Sequence, residues 1–261
     1  MSVTVVSRPT NEVAQARRAA NTLVMVLAGV GWLALSIGSA SPYARYLHHD
    51  GILGSTMPTG AAVALFICGW VVMTAAMMFP STYELVATFS VVIRDRPDRV
   101  HLRLALLAGY TTVWTATGLA ALLADQAVHE SVHRWAWIEQ NQWLISALVL
   151  AGAGLYQFSP IKDRCLTECR SPRAFVFARW RGRHAFHEAF RLGAGHGRFC
   201  VGCCAALMLV TFAVGVGNLG WMFLLGAVMT VEKVAPGGAR IVRPVGGMLA
   251  LGAIIVAIAN T

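Results

Sequence analysis

Charged side chains are scarce in this chain of 261 residues: they make up 13% of it, whereas a soluble domain carries about 25%. Hydrophobic residues make up 57% of the sequence, which excludes an intrinsically disordered chain. The length excludes a small disulfide-stabilised fold, and the sequence contains no internal repeat, low-complexity tract or soluble domain. The composition therefore predicts an integral membrane protein, with most of its surface in contact with lipid.

Uncharged stretches recur along the chain, and the clearest approach the roughly 20 residues that an α-helix needs to cross a bilayer. Seven such stretches are found, near residues 22–40, 61–79, 104–124, 143–158, 199–217, 219–231 and 245–259. The sixth is the shortest, with thirteen residues, and needs help from its flanks. We therefore predict an all-α, polytopic membrane bundle, with a tail at residues 1–21 and one transmembrane domain at residues 22–261.

The basic residues are distributed unevenly between the two sides that these spans define. Of the 21 Lys and Arg residues, 19 fall in the tail and the even-numbered loops, and two fall on the other side. By the positive-inside rule the N-terminus is cytoplasmic and the C-terminus lies outside. The net charge of +9 is thus a signal of topology, and we predict no nucleic-acid partner.

The largest segment outside the predicted spans is the cytoplasmic loop at residues 161–198. Within it, residues 171–192 mix aromatic side chains with Arg and His, which indicates a basic amphipathic helix on the anionic inner leaflet. The aromatic residues are Phe175, Phe177, Trp180, Phe186 and Phe190. The histidines of this region, His184, His187 and His196, fit a surface role near lipid phosphate better than a metal site.

Five of the six cysteines fall at the predicted cytoplasmic face, where a reducing compartment disfavours disulfides. Cys165 and Cys169 are one helical turn apart, and Cys200, Cys203 and Cys204 share one face at the mouth of the fifth span. Together they could supply a tetrahedral thiolate site or the soft ligands that Cu(I) selects. The spacing does not fit a zinc ribbon. The alternative is that the cysteines are small buried residues at helix contacts.

Methionines add further soft ligands to the same half of the predicted bundle. Met73, Met77 and Met78 lie on the second span, and Met208 continues a stripe from Cys200 through Cys204 on the fifth. Thioethers bind Cu(I) and stay uncharged at membrane depth. Methionine is also an ordinary core residue, so the stripe alone does not separate an ion path from packing.

The opposite face carries harder ligands. Asp125, His129 and His133 recur at a spacing of four residues just beyond the third span. Imidazole and carboxylate groups suit Cu(II) or Zn(II), and the same pattern equally fits the polar face of a short amphipathic helix. Glu84 and Glu232 are the acids nearest the cytoplasmic membrane boundary, and we expect Glu232 to pair with Lys233 or with an Arg of the basic loop.

Three motifs give the chain a family resemblance. Residues 70–80 match W-x2-M-x3-MM-x-P, residues 160–172 resemble P-L-K-x2-C-L-x2-C-R-S-P, and residues 200–204 form C-x-G-C-C. The chain thus resembles a family of bacterial inner-membrane proteins described as predicted metal-binding integral membrane proteins of unknown function. Ala205 departs from the tryptophan that the family usually has there, which affects packing more than binding. The resemblance implies a multi-pass protein of the bacterial inner membrane.

We expect a transition-metal-binding membrane protein that handles copper, with zinc as the other metal to test, through transport or delivery to a metallochaperone or membrane-complex partner. In this hypothesis the ion passes from Asp and His outside, along the methionines, to the cytoplasmic thiols. Binding or transport is favoured over catalysis. Two alternatives stay open: a membrane thiol oxidoreductase, and a scaffold subunit of a membrane complex.

Overall fold

The computed structural model describes residues 9–40, 59–134, 136–141, 143–214 and 218–260, and within these ranges the chain is helical with no strand. Four of the described helices have 30 to 36 residues, and the others have 19 or fewer. The helices are α1 (Pro9–Ala40), α2 (Thr59–Val92), α3 (Arg99–Arg134), α4 (Ala136–Gln140), α5 (Trp143–Tyr156), α6 (Pro160–Cys169), α7 (Pro172–Arg179), α8 (Ala185–Val214), α9 (Leu219–Val234) and α10 (Val242–Asn260). A 3-10 turn, Gly238–Ile241, precedes α10. The predicted all-α class is confirmed.

Local capping explains where the shorter helices begin. Pro160 opens α6 at a position where its missing N–H costs nothing, and the Ser159 hydroxyl accepts a hydrogen bond from the backbone N–H of Lys162 at 3.1 Å. The side chain of Asn218 caps α9 in the same way, accepting from the N–H of Trp221 at 3.0 Å. These caps fix the starts of the two helices that carry Lys162 and Glu232.

The candidate spans differ from the seven predicted. Within the described residues, five helices are long and apolar enough to cross a membrane, and α5 with α6 forms a sixth candidate if this pair, bent by 65°, is one span. The predicted span at 219–231 is a 16-residue helix, α9, which is not among these candidates. Its end carries Glu232 and Lys233, and both are buried inside the protein.

The single amphipathic helix predicted over residues 171–192 is wrong. Helix α7 ends at Arg179 and α8 begins at Ala185, with Gly182 between them at a φ of 75°. A left-handed backbone interrupts a helix and favours glycine. The Glu188 carboxylate then accepts hydrogen bonds from four successive backbone N–H groups of the connecting turn.

The aromatic residues of this segment also divide between two roles. Phe175 is buried, and Trp180 packs edge-on against Phe89 of α2 with ring centroids 4.9 Å apart. Phe177 and Phe186 are more than 60% exposed. The segment therefore contributes Phe175 and Trp180 to packing inside the protein, and only its exposed aromatic residues can face a membrane surface.

Helices α3 and α8 run parallel in close backbone contact. A Cβ atom at Gly193 would overlap the carbonyl oxygen of Leu106, and one turn later a Cβ at Gly197 would lie 3.2 Å from the carbonyl oxygen of Tyr110. Glycine at these positions lets the two backbones approach, as small residues do in membrane helix pairs. This approach brings Tyr110 to the part of α8 that carries three cysteines.

Several contacts between helices involve basic residues near the helix ends. Arg17 near the start of α1 pairs with Glu84 of α2 at 2.8 Å, and Lys162 of α6 pairs with Glu232 at the end of α9. The parallel pair α3 and α8 places their arginine-rich starts together. Which side of a membrane these helix ends face stays a prediction.

Replacing Gly193 with Ala tests the α3–α8 contact. The added methyl group meets backbone that has no space for it, so the free energy of unfolding should fall by about 1–3 kcal/mol, the usual cost of overpacking. Thermal unfolding of the purified protein, followed by helical circular dichroism, measures the change.

The matched control is Gly69→Ala in α2, where an added Cβ meets nothing within 4 Å. This change should leave the protein as stable or slightly more stable, because alanine favours the helix by about 0.5–1 kcal/mol over glycine. Equal effects of the two substitutions would contradict the close α3–α8 packing.

Candidate metal centre

Four cysteine side chains meet where α6 ends against α8: Cys169, Cys200, Cys203 and Cys204, called here the thiol cluster. Cys203 Sγ lies 3.7 Å from Cys169 Sγ and 3.6 Å from Cys204 Sγ. Cys203 Sγ also donates a hydrogen bond to the backbone oxygen of Cys200 at 3.2 Å. All four residues are at most 7% exposed, so the cluster is enclosed by protein.

The spacing of the sulfur atoms allows a test against a metal. A tetrahedral thiolate site with bonds of about 2.3 Å places its sulfur atoms roughly 3.8 Å apart. The observed separations of 3.6 and 3.7 Å are close to this value. Across the described parts of the chain, however, no group of three or more His, Cys, Asp or Glu side chains has the geometry of a preformed metal site. The thiols are hydrogen-bonded to one another, and must turn toward a common centre to hold an ion.

Cys165, the fifth cysteine in the predicted set, stands apart from the cluster. It lies one turn before Cys169 on α6, is half-buried, and its sulfur packs directly against the backbone of Gly202. Tyr156, at the end of α5, donates a hydrogen bond to the Gly202 carbonyl oxygen at 2.5 Å, so α5 also contacts α8 at this point. Cys165 thus lies at a helix contact, and its predicted role as a ligand stays a prediction.

Polar side chains from α9 and α3 contact the sulfur of Cys200. The ammonium group of Lys233 donates a hydrogen bond to Cys200 Sγ at 2.9 Å and to Ser81 Oγ at 3.1 Å, and it lies 3.6 Å from Met78 Sδ. The Tyr110 hydroxyl is 2.9 Å from the same Cys200 sulfur. Sequence reasoning missed Tyr110 and gave Lys233 no role at the thiols, because neither residue belongs to a ligand motif.

Glu232, adjacent to Lys233, is held by a buried ion pair. Its Oε2 atom is 2.8 Å from Lys162 Nζ, and both side chains are 1% exposed. Arg170 donates to the backbone oxygens of Glu232 and Ala235, so the loop between α6 and α7 is fastened to the end of α9. The partner is thus a lysine of the basic loop, and the expected pairing with Lys233 or an arginine side chain is wrong.

The predicted methionines are all interior residues. Met73, Met77, Met78 and Met208 are at most 2% exposed. The Met78 sulfur lies 3.6 Å from the Lys233 ammonium, which in turn contacts the thiol cluster. Met77 packs against Gly226 of α9. Their burial fits both interpretations of the methionines, as core residues and as an ion path.

The set predicted for the other face lies only partly within the described residues. Asp125, His129 and His133 are all carried by α3, and Asp125 is half-buried, while the side chains of the two histidines lie outside the description. A metal site there stays a prediction. The surface role expected for His196 is wrong, since it is 3% exposed and packs between the rings of Tyr110 and Phe175.

Comparison with known proteins gives one family. The family model described as PpoB2, copper chaperone, matches residues 67–256, a range that includes all four residues of the thiol cluster, Tyr110 and Lys233. No curated protein and no solved structure matches the chain.

Replacing Lys162 with Met tests the buried ion pair. The change leaves the Glu232 carboxylate without its cation in the interior, so the free energy of unfolding should fall by about 3–5 kcal/mol. Replacing both residues, Lys162→Met with Glu232→Leu, should recover much of this loss because no uncompensated charge remains. Chemical denaturation of the purified variants measures both values.

Glu130→Gln is the control for this pair. Glu130 pairs with Arg134 on α3 with both side chains about 70% exposed, and such pairs contribute about 0–1 kcal/mol. A Lys162→Met protein as stable as Glu130→Gln would show that the interior pair does not hold α6 against α9.

Proposed function

The chain belongs to the family described as PpoB2, copper chaperone, and from this premise we propose that it holds Cu(I) at the thiol cluster as cargo for delivery. The observation that carries the proposal is the convergence of four buried cysteines from two helices. Thiolates are the soft ligands that Cu(I) selects, and the copper ion here is what the protein carries rather than a resident cofactor.

The route we propose runs through sulfur ligands. Cys203 has two thiol neighbours within 3.7 Å, so an ion bound there can pass from one pair of thiols to another without leaving sulfur. Met208 follows Cys204 by one turn of α8, and Met73, Met77 and Met78 are buried on α2, where Met78 lies beside Lys233 and Met77 against Gly226 of α9. Such neighbouring soft ligands let a Cu(I) ion move in short steps, each of which replaces one sulfur with the next.

We also propose that the protein resides in the bacterial inner membrane with its N-terminus in the cytoplasm. Residence in a membrane is supported by the candidate spans and by the outer face of α10, where five large apolar side chains are 55–72% exposed. They are Met248, Leu251, Ile254, Ile255 and Ile258. A contiguous apolar face of this kind is rare on soluble monomers.

The thiol oxidoreductase alternative is less well supported by the site. Thiol–disulfide exchange with a second protein requires access to the attacking sulfur. The four thiols of the cluster are at most 7% exposed, so a partner's cysteine cannot reach them without opening α6 from α8. A small ion requires only a rearrangement of the thiols.

Substitution of the cluster tests the copper proposal directly. The Cys203→Ser, Cys204→Ser double variant removes two of the four soft ligands and should lose most of the copper that the wild type retains after growth with added copper. Elemental analysis of the detergent-purified protein measures copper per chain. Cys68→Ser is the control, because Cys68 is exposed and lies apart from the cluster, and it should keep the wild-type content.

A wild-type protein that retains no copper under these conditions would overturn the proposal. Equal copper in the cluster variant and in Cys68→Ser would also overturn it, because the bound metal would then lie elsewhere.

Membrane residence is tested by extraction. If the candidate spans cross the bilayer, the protein should stay in the membrane pellet at alkaline pH, which strips peripheral proteins, and should need detergent for release. Immunoblotting of pellet and supernatant gives the result. Release into the alkaline supernatant would contradict an integral membrane protein.

A further inference from the structure

The ammonium group of Lys233 lies between a thiol and a thioether. Its Nζ atom is 2.9 Å from Cys200 Sγ and 3.6 Å from Met78 Sδ, and Ser81 Oγ is a further acceptor at 3.1 Å. Lys233 is 6% exposed, while Cys200 and Met78 are at most 1% exposed. A cation therefore already occupies the space between two sulfur atoms that are both ligands for Cu(I).

The position connects two groups of sulfur ligands. Cys200 belongs to the thiol cluster on α8, and Met78 belongs to α2, which also carries Met73 and Met77. Both Cys200 and Met78 lie close to the one ammonium nitrogen. An ion bound by both Cys200 and Met78 would therefore take the place that the Lys233 ammonium holds.

Resting on the copper function proposed above, we propose that Cys200 and Met78 form a second, mixed thiolate–thioether Cu(I) site, and that the Lys233 ammonium is the cation that keeps it closed. Cu(I) and an ammonium group both carry one positive charge. Replacing one with the other beside the Cys200 thiolate leaves the charge of this buried region unchanged, which avoids the cost of an unbalanced charge in the interior.

The surrounding groups fit this exchange. A metal–sulfur bond of about 2.3 Å is shorter than either contact of the ammonium, so the two sulfur atoms must close around the ion. Met78 has the flexible, unbranched side chain that can make this adjustment. Ser81 Oγ, 3.1 Å from the ammonium, is only half-buried, so it marks the side on which the ammonium can leave when the ion takes its place. The Tyr110 hydroxyl, 2.9 Å from Cys200 Sγ, supports the sulfur from the α3 side.

Removal of the positive charge provides the test. Lys233→Met and Lys233→Gln take away the resident cation, so each variant should retain about one more copper ion per chain than the wild type when loaded with Cu(I) alone. The combination Lys233→Gln with Met78→Leu should return to the wild-type content, because it removes one of the two ligands. Elemental analysis gives copper per chain, and circular dichroism with size-exclusion chromatography establishes that each variant is folded.

The two proposals fail in different ways. One outcome is that the wild type binds copper, while the Lys233 variants are folded and bind the same amount or less. The second site is then wrong, and Lys233 is only a counter-ion of the thiols. If the wild type binds no copper at the cluster, the copper function itself is wrong.

A test that leaves Lys233 in place covers the case in which its substitution prevents folding. Met78→Leu preserves the buried volume and should slow copper release to a Cu(I) chelator several-fold, with copper per chain unchanged, because the thioether on the far side of the ammonium is lost. Met222→Leu on α9, an equally buried methionine with no contact to Lys233, is the matched control and should release copper at the wild-type rate. Equal release rates in the two variants would overturn the second site.

Discussion

The contact between the Lys233 ammonium and the Cys200 sulfur joins three helices at one point, and the arrangement of the site depends on it. Lys233 comes from α9, Cys200 from α8, and Ser81 and Met78 from α2. A buried ammonium group is costly unless charged or polar partners surround it. The sulfur atoms are among those partners, so the group that joins the helices also occupies the position at which we propose a second Cu(I) site.

A second buried charge pair makes this position available. Lys162 and Glu232 neutralise each other beside Lys233, and Arg170 fixes the backbone where α9 ends. Consecutive residues of a helix point in different directions, so Glu232 faces Lys162 of α6 while Lys233 faces Cys200. The last turn of α9 therefore has two sides, with Glu232 and Lys233 buried in the protein and Val231 and Val234 exposed.

The sequence predicted the helical class and the grouping of Cys169 with Cys200, Cys203 and Cys204, because both follow from local spacing and charge. It could not predict that Cys165 lies apart, since one turn of α6 faces Gly202 and the next faces Cys203. Tyr110 and Lys233 reach the site from distant segments, and no periodic pattern records such contacts. The break at Gly182 was missed because aromatic and basic residues continue on both sides of it.

X-ray absorption at the copper edge of the copper-loaded wild-type protein tests the central claim most directly. Cu(I) held by the thiol cluster predicts a first shell of sulfur atoms only, because the described side chains that surround Cys203 closely are thiols. A first shell made of nitrogen and oxygen atoms would place the metal among imidazole and carboxylate groups, and would contradict a copper site built from these cysteines.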